Sequence, residues 1–90
     1  MEFEWDPKKA ETNKRKHGVS FQEGATVLGD PLAITYADPD HSEDEGRHIT
    51  FGLSKQKRPL VISHAHRGSK MRVISARSMT RRERKIYEQG

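Results

Sequence analysis

The ninety-residue sequence predicts an α+β fold: a small twisted antiparallel sheet with helices packed on one face, in the order β-α-α-β-β-β-β-α. Three observations lead there. Two polar segments near the N-terminus carry helix start and stop signals, four segments of strand character follow, and a capped, arginine-rich segment ends the sequence. Only 31 % of residues are apolar and mean hydropathy is −1.00, so the core is modest. Those apolar residues nevertheless come in short organised runs, which argues for one folded domain over residues 1–90 rather than for disorder.

Each element has its own signal. "FEW", Phe3 to Trp5, reads as a short strand. Asp6 is an N-cap and Pro7 fits the first helical turn, where a missing N–H costs nothing, so a helix runs from Pro7 to about His17 with Gly18 just past its end. "SFQE" is a capping box, with Ser20 as N-cap and Glu23 three residues on; Phe21, Ala25 and Leu28 line one side of the helix it opens, and "GDP" at Gly29 to Pro31 stops it. Strands follow in "LAITYA", "RHITFGLS", "LVISHA" and "KMRVISAR", the last three as an antiparallel meander through the tight connections "KQKRP" and "HRGSK". A second capping box, Thr80 to Glu83, opens a last helix to about Gln89.

Charge is unevenly distributed. From Leu28 to Gly46 there are six acidic residues and no base, whereas from Arg47 onward there are twelve bases against two acids. The basic half attracts phosphate or carboxylate over a Debye length of about 8–10 Å at physiological salt, which points to a nucleic acid or an acidic protein as partner. Cysteine is absent, which excludes disulfides, thiolate metal sites and a thiol nucleophile. The acidic N-terminus does not resemble a signal peptide and no apolar run is long enough to span a membrane, so a cytoplasmic protein is expected.

The segment "RVISARSMTRRERKIYE", Arg72 to Glu88, concentrates this charge: five arginines and one lysine against two glutamates. Strict alternation puts Lys70, Arg72, Ile74 and Ala76 on one side of the strand and Met71, Val73, Ser75 and Arg77 on the other. Both sides mix arginine with apolar residues, so periodicity does not name the buried one. Arg81 and Arg82 occupy the first turn of the last helix, where the dipole disfavours cations; that placement suits an external anion better than it suits the helix. Among the histidines, His64 and His66 share a strand face with Leu60 and Ile62, and His17 closes the basic cluster "NKRKHG". No third ligand stands at zinc spacing beside His64 and His66, and no phosphate-cradling glycine loop or nucleophile–histidine–acid arrangement is present, so no metal and no cofactor is expected.

"FEWDPKKAETNKRKHGVSFQEGATVLGDP", followed later by "RVISARSMTRRERKIYE", resembles the BrnT family of toxins from type II toxin–antitoxin systems. The motifs "WD", "N..KHGVSF", "DP" and "ISAR…ER..YE" stand in the family's order and spacing over nearly the whole sequence. What the resemblance implies is a RelE-like fold, ribonuclease activity that inhibits translation, and a BrnA-type antitoxin with a ribbon-helix-helix part. Promoter DNA would be contacted indirectly, through that antitoxin.

On that resemblance the expected chemistry is metal-independent RNA cleavage. The substrate's 2′-OH attacks the adjacent phosphorus, leaving a 2′,3′-cyclic phosphate and a 5′-OH. Arg72, Arg77 and Arg84 neutralise the developing charge; His17 or His64 relays protons, with Tyr87 as an alternative acid or stacking surface. Lys16, Arg47, Lys70, Arg81 and Arg82 are expected to hold RNA. A different class of function stays open: a binding subunit without catalysis, whose basic face holds an acidic antitoxin segment or DNA backbone.

Overall fold

A computed structural model describes residues 2–38 and 46–90. Most of the acidic loop, His41 included, lies outside the described residues. The elements are β1 (Glu2–Glu4), α1 (Pro7–His17), α2 (Phe21–Thr26), β2 (Ile34–Ala37), β3 (Arg47–Leu53), β4 (Pro59–Arg67), β5 (Lys70–Ser78) and α3 (Arg81–Gln89), with a 3₁₀ turn at Val27–Gly29 after α2. The order is the one the sequence predicts. The sheet runs β1-β5-β4-β3-β2, antiparallel from β2 to β5, and is mixed because β1 joins β5 in parallel. A parallel partner needs a long crossover; here the helices and the meander supply it.

Helix α1 begins and ends as its caps dictate. The Asp6 carboxylate accepts from Lys8 N–H at 2.8 Å, and Gly18 takes the left-handed conformation, φ 70°, that closes the helix. Its one buried residue is polar. The Asn13 amide donates to the carbonyls of Val19 and Ala76 and accepts from Ala76 N–H at 3.2 Å. Strand β1 pairs with β5 only as far as Arg72, so further along the same edge Asn13 satisfies Ala76 where a neighbouring strand would.

The first capping box, at Ser20, is half formed. Ser20 Oγ accepts from Glu23 N–H at 3.0 Å, but the Glu23 carboxylate turns away to Arg58 and to Ser54 Oγ, tying α2 to the β3–β4 turn. The hydrogen bonds from Arg58 hold its pKa below the ordinary carboxylate value against the effect of burial. Helix α2 approaches the sheet closely at Gly24, where a β-carbon would meet both Ala76 and Ile62 at 3.0 Å.

Helices α1 and α2 cover one face of the sheet. Val19, Phe21, Ala25 and Val27 pack there with Leu60, Ile62, Val73 and Ala76, and Trp5 meets Phe21 edge to face at 6.1 Å. Val27 rather than Leu28 fills this core, since the chain tightens into the 3₁₀ turn at that point. The expectation of helices on one face holds for α1 and α2. Helix α3 instead brings Tyr87 to a smaller cluster of Phe51, Val61 and Met79, whose strand residues alternate to the other face. The rest of that second face is not covered by a helix of the described residues, and it carries the candidate site.

Candidate nucleic-acid interface

The second face is built by strand register. Paired residues point the same way, so cross-strand partners form rows across the sheet. One row carries Glu2, Lys70 and Arg67; the next carries Glu4, Arg72, Ala65 and Arg47. A third carries Ser75, Ser63, Ile49 and Tyr36; the last carries Arg77, Val61, Phe51 and Ile34, and α3 lies against it. Among the described residues five cations thus share one sheet face, arranged around two serine hydroxyls and a tyrosine.

Strict alternation places Arg72 and Arg77 on opposite sides of β5, and here the structure corrects it. Ser63 pairs with Ser75 but its neighbour His64 pairs with Val73, which leaves Ile74 as one extra residue in a β-bulge. Beyond the bulge the phase is reset. Met71, Val73 and Ala76 are buried against the helices, while Arg72, Ser75 and Arg77 reach the other face half-exposed.

The arginines differ in how tightly they are held. Arg77 donates twice to Glu83, at 2.8 and 2.9 Å, and Glu83 also accepts from Thr80 N–H, completing a capping box on α3. Hydrogen bonding from Arg77, opposed by burial and helped by the Thr80 N–H, takes the Glu83 carboxyl to about 2. The same pair raises the guanidinium pKa above its ordinary value. Arg72 has a looser partner, Glu4 at 3.8 Å, and is the more available of the two.

Tyr87 borders the face from α3. Its hydroxyl donates to Asp30 Oδ2 at 2.7 Å, and that bond, with burial, raises the phenol to about 12. Burial alone would raise the Asp30 carboxyl. Hydrogen bonds from Leu53 N–H, Tyr87 and Leu32 N–H bring it below its ordinary value instead. Helix α3 is thereby pinned to the loop before β2.

The remaining expected site residues lie elsewhere. His64 is 4 % exposed on the helix-covered face, with Nε2 2.6 Å from Thr50 Oγ1 and Nδ1 3.1 Å from Met71 Sδ. Burial, then repulsion from His48 and His66, lowers it to about 4, so it is neutral and inside the core. His17 and Lys16 line a cleft with Lys8, Lys9, Asn13 and Ile74 on the α1 side of the molecule. Arg81 and Arg84 line another with Met79, Lys85 and Glu88 on the flank of α3, and Arg82 is exposed on the same helix. The face therefore unites Arg47, Lys70, Arg72 and Arg77 from the expected set, adds Arg67, Ser63, Ser75 and Tyr36, and has no histidine among its described residues. Register, rather than any local motif, is the signal that finds the added four.

Such a face suits a polyanion: guanidinium groups hold phosphate oxygens in bidentate fashion, and hydroxyls between them add neutral donors. Fold and face together define a small basic α+β protein with a cationic sheet face. A family model described as "Ribonuclease toxin, BrnT, of type II toxin-antitoxin system" matches residues 5–83. The crystal structure of the Brucella abortus ribonuclease toxin BrnT superposes with a TM-score of 0.70 at 25 % identity, covering 90 % of this chain and 99 % of that one. No curated protein matches the sequence. The chain belongs to the BrnT family of ribonuclease toxins of type II toxin–antitoxin systems. Membership implies an RNA substrate and an antitoxin partner. No helix of the described residues is long and apolar enough to cross a membrane.

Proposed function

We propose that the chain is a metal-independent endoribonuclease that inhibits translation by cleaving RNA on the open sheet face, and that a BrnA-type antitoxin with a ribbon-helix-helix part neutralises it. The observation that carries this reading is the convergence of Arg47, Arg72 and Arg77 on one face, brought about by register and by the bulge at Ile74. The RNA 2′-oxygen forms a bond to the adjacent phosphorus and the bond from phosphorus to the 5′-oxygen breaks, giving a 2′,3′-cyclic phosphate and a 5′-OH. Negative charge grows on the non-bridging oxygens during this step. Arg72 stabilises it, with Arg47 holding the neighbouring phosphate and Arg77 fixed by Glu83 at the rim.

The 2′-OH gives up a proton and the leaving 5′-oxygen takes one. His64 is shut away from this face, and His17 lies on the α1 side. Glu83 is tied to Arg77 in both oxygens and is a poor base. Glu4, beside Arg72, is the carboxylate placed to receive the 2′ proton, and solvent protonates the 5′-oxygen. The same arginines suit an acidic antitoxin segment, so inhibition by occlusion needs no second surface.

Purified protein incubated with RNA, in EDTA, with and without ribosomes, tests this. New 3′ ends carrying cyclic phosphate are expected, and their loss in Arg72→Ala. RNA left intact under both conditions removes the catalytic reading and leaves the non-catalytic binding subunit, whose hold on nucleic acid would weaken steeply with salt.

A further inference from the structure

Two tyrosines meet the arginine face, and they are placed differently. The Tyr87 hydroxyl is spent on Asp30 and its ring is half-buried under α3. Tyr36 stands on the edge strand β2, 48 % exposed, and among the described residues its hydroxyl has no hydrogen-bond partner. Its direction is set by register: it pairs with Ile49, and so points the same way as Ser63 and Ser75 in its row and Arg47 in the next. The ring is braced from beside, edge to face against Phe51 with centroids 5.8 Å apart and planes at 66°.

Folding covers only the edge of this aromatic ring, against Phe51, and leaves about half of the residue in water on a polar, cationic sheet face. Held by Ile49 and Phe51, it has little rotamer freedom left to lose. Those are the properties of a stacking platform, which accepts any base through its π-face while cations hold the backbone. Four strands at about 4.8 Å spacing put β2 and β5 about 14 Å apart, a span that several nucleotides of single strand cross. We propose that Tyr36 stacks on an unpaired nucleobase of the substrate RNA whose phosphates lie on Arg47 and Arg72, and so sets which nucleotide lies over Ser63 and Ser75. This rests on the reading of the face as the RNA-cleaving surface.

Tyr36→Ala, Tyr36→Leu and Tyr36→Phe are compared with wild type on a single-stranded oligoribonucleotide and on a 2′-deoxy analogue that binds without being cleaved. Tyr36→Ala and Tyr36→Leu are expected to raise KM and the analogue's Kd by roughly 5- to 100-fold, the effect of losing one stacked base. Tyr36→Phe, which keeps the ring, stays within about 2-fold of wild type on the same grounds. Leu keeps apolar bulk on Ile49 and Phe51, so its loss with an unchanged melting temperature separates stacking from packing. An abasic position walked along the analogue should erase the difference between wild type and Tyr36→Ala at one position only. Wild-type affinity in Tyr36→Ala, or a Tyr36→Phe variant as weak as Tyr36→Ala, overturns the assignment while cleavage by wild type still upholds the face. Wild type that neither binds nor cleaves overturns both.

Discussion

Arg72 and Arg77 lie on the same face of the sheet although they stand five positions apart, an odd spacing, along one strand. An odd spacing puts two side chains on opposite faces of a regular strand. The extra residue at Ile74 shifts the phase by one and reunites them, roughly 13 Å apart, the length of their antiparallel partners Ala65 to Val61. A bulge that re-aims one side chain is a common device near functional sites. In this chain it also keeps Met71 and Val73 in the core.

Deleting Ile74 tests that role. Without the extra residue either Arg72 turns toward the helices and Met71 and Val73 toward solvent, or the pairing slips. Large destabilisation is expected, about 3 kcal/mol or more from the lost burial of two side chains. Ile74→Ala keeps the backbone and should cost less than about 1.5 kcal/mol. Urea denaturation of both variants makes the comparison, and equal losses would discount the bulge.

Arg72 and Arg77 should separate function from stability. Arg72→Ala removes a guanidinium held by one loose ion pair, so cleavage should fall by about 10²–10³ with the melting temperature nearly unchanged. Arg77→Ala also strips Glu83 of its bidentate partner and should lower both. Melting curves beside initial rates decide it; an Arg72→Ala enzyme with full activity would contradict the proposed charge stabilisation.

The Tyr87–Asp30 bond should matter to folding rather than to chemistry. Tyr87→Phe loses one charge-assisted hydrogen bond, roughly 1.5–3 kcal/mol. Asp30→Ala orphans the Leu53 and Leu32 N–H groups as well and should cost more. Denaturant midpoints report the order, and a Tyr87→Phe protein of wild-type stability but no cleavage would restore Tyr87 to the reacting centre.

Acid sensitivity should appear in two windows. His64 has its pKa lowered from 6.5 to about 4, so its neutral form is favoured by folding. Its contribution is full above 6.5, declines as pH falls from there, and is gone below about 4; the loss is on the order of 3 kcal/mol. Glu83, lowered from 4.5 to about 2, adds stability above 4.5 that is lost as pH falls through its folded value. His64→Gln should flatten the upper window and leave the lower one. Stability profiles of the two proteins that stay parallel from pH 6.5 to 4 would show that His64 does not titrate on unfolding.

Much of the fold was readable locally. Asp6, Pro7 and Gly18 mark the limits of α1 by capping and φ preference, Thr80 and Glu83 open α3, and the four later strands follow their β-branched runs. These signals act within a few residues, so linear order carries them. Glu23 shows the limit: the box "SFQE" is there, but the carboxylate is drawn to Arg58, thirty-five residues away, by a stronger charged partner. His64 shows it again, since alternation allowed it an open strand face and packing buried it between Thr50 and Met71.

By itself the sequence determined the element order, the basic second half and the residue types available for meeting phosphate. Which of those cations act together was decided only in three dimensions. Strand pairing aligned Arg47 with Arg72 across Ala65, the bulge turned Arg77 to join them, and Asn13 and the helices closed the opposite face so that this one stayed open. Side-chain chemistry is written residue by residue, but the face a residue occupies depends on register and phase, and those are settled by contacts between segments far apart in the chain.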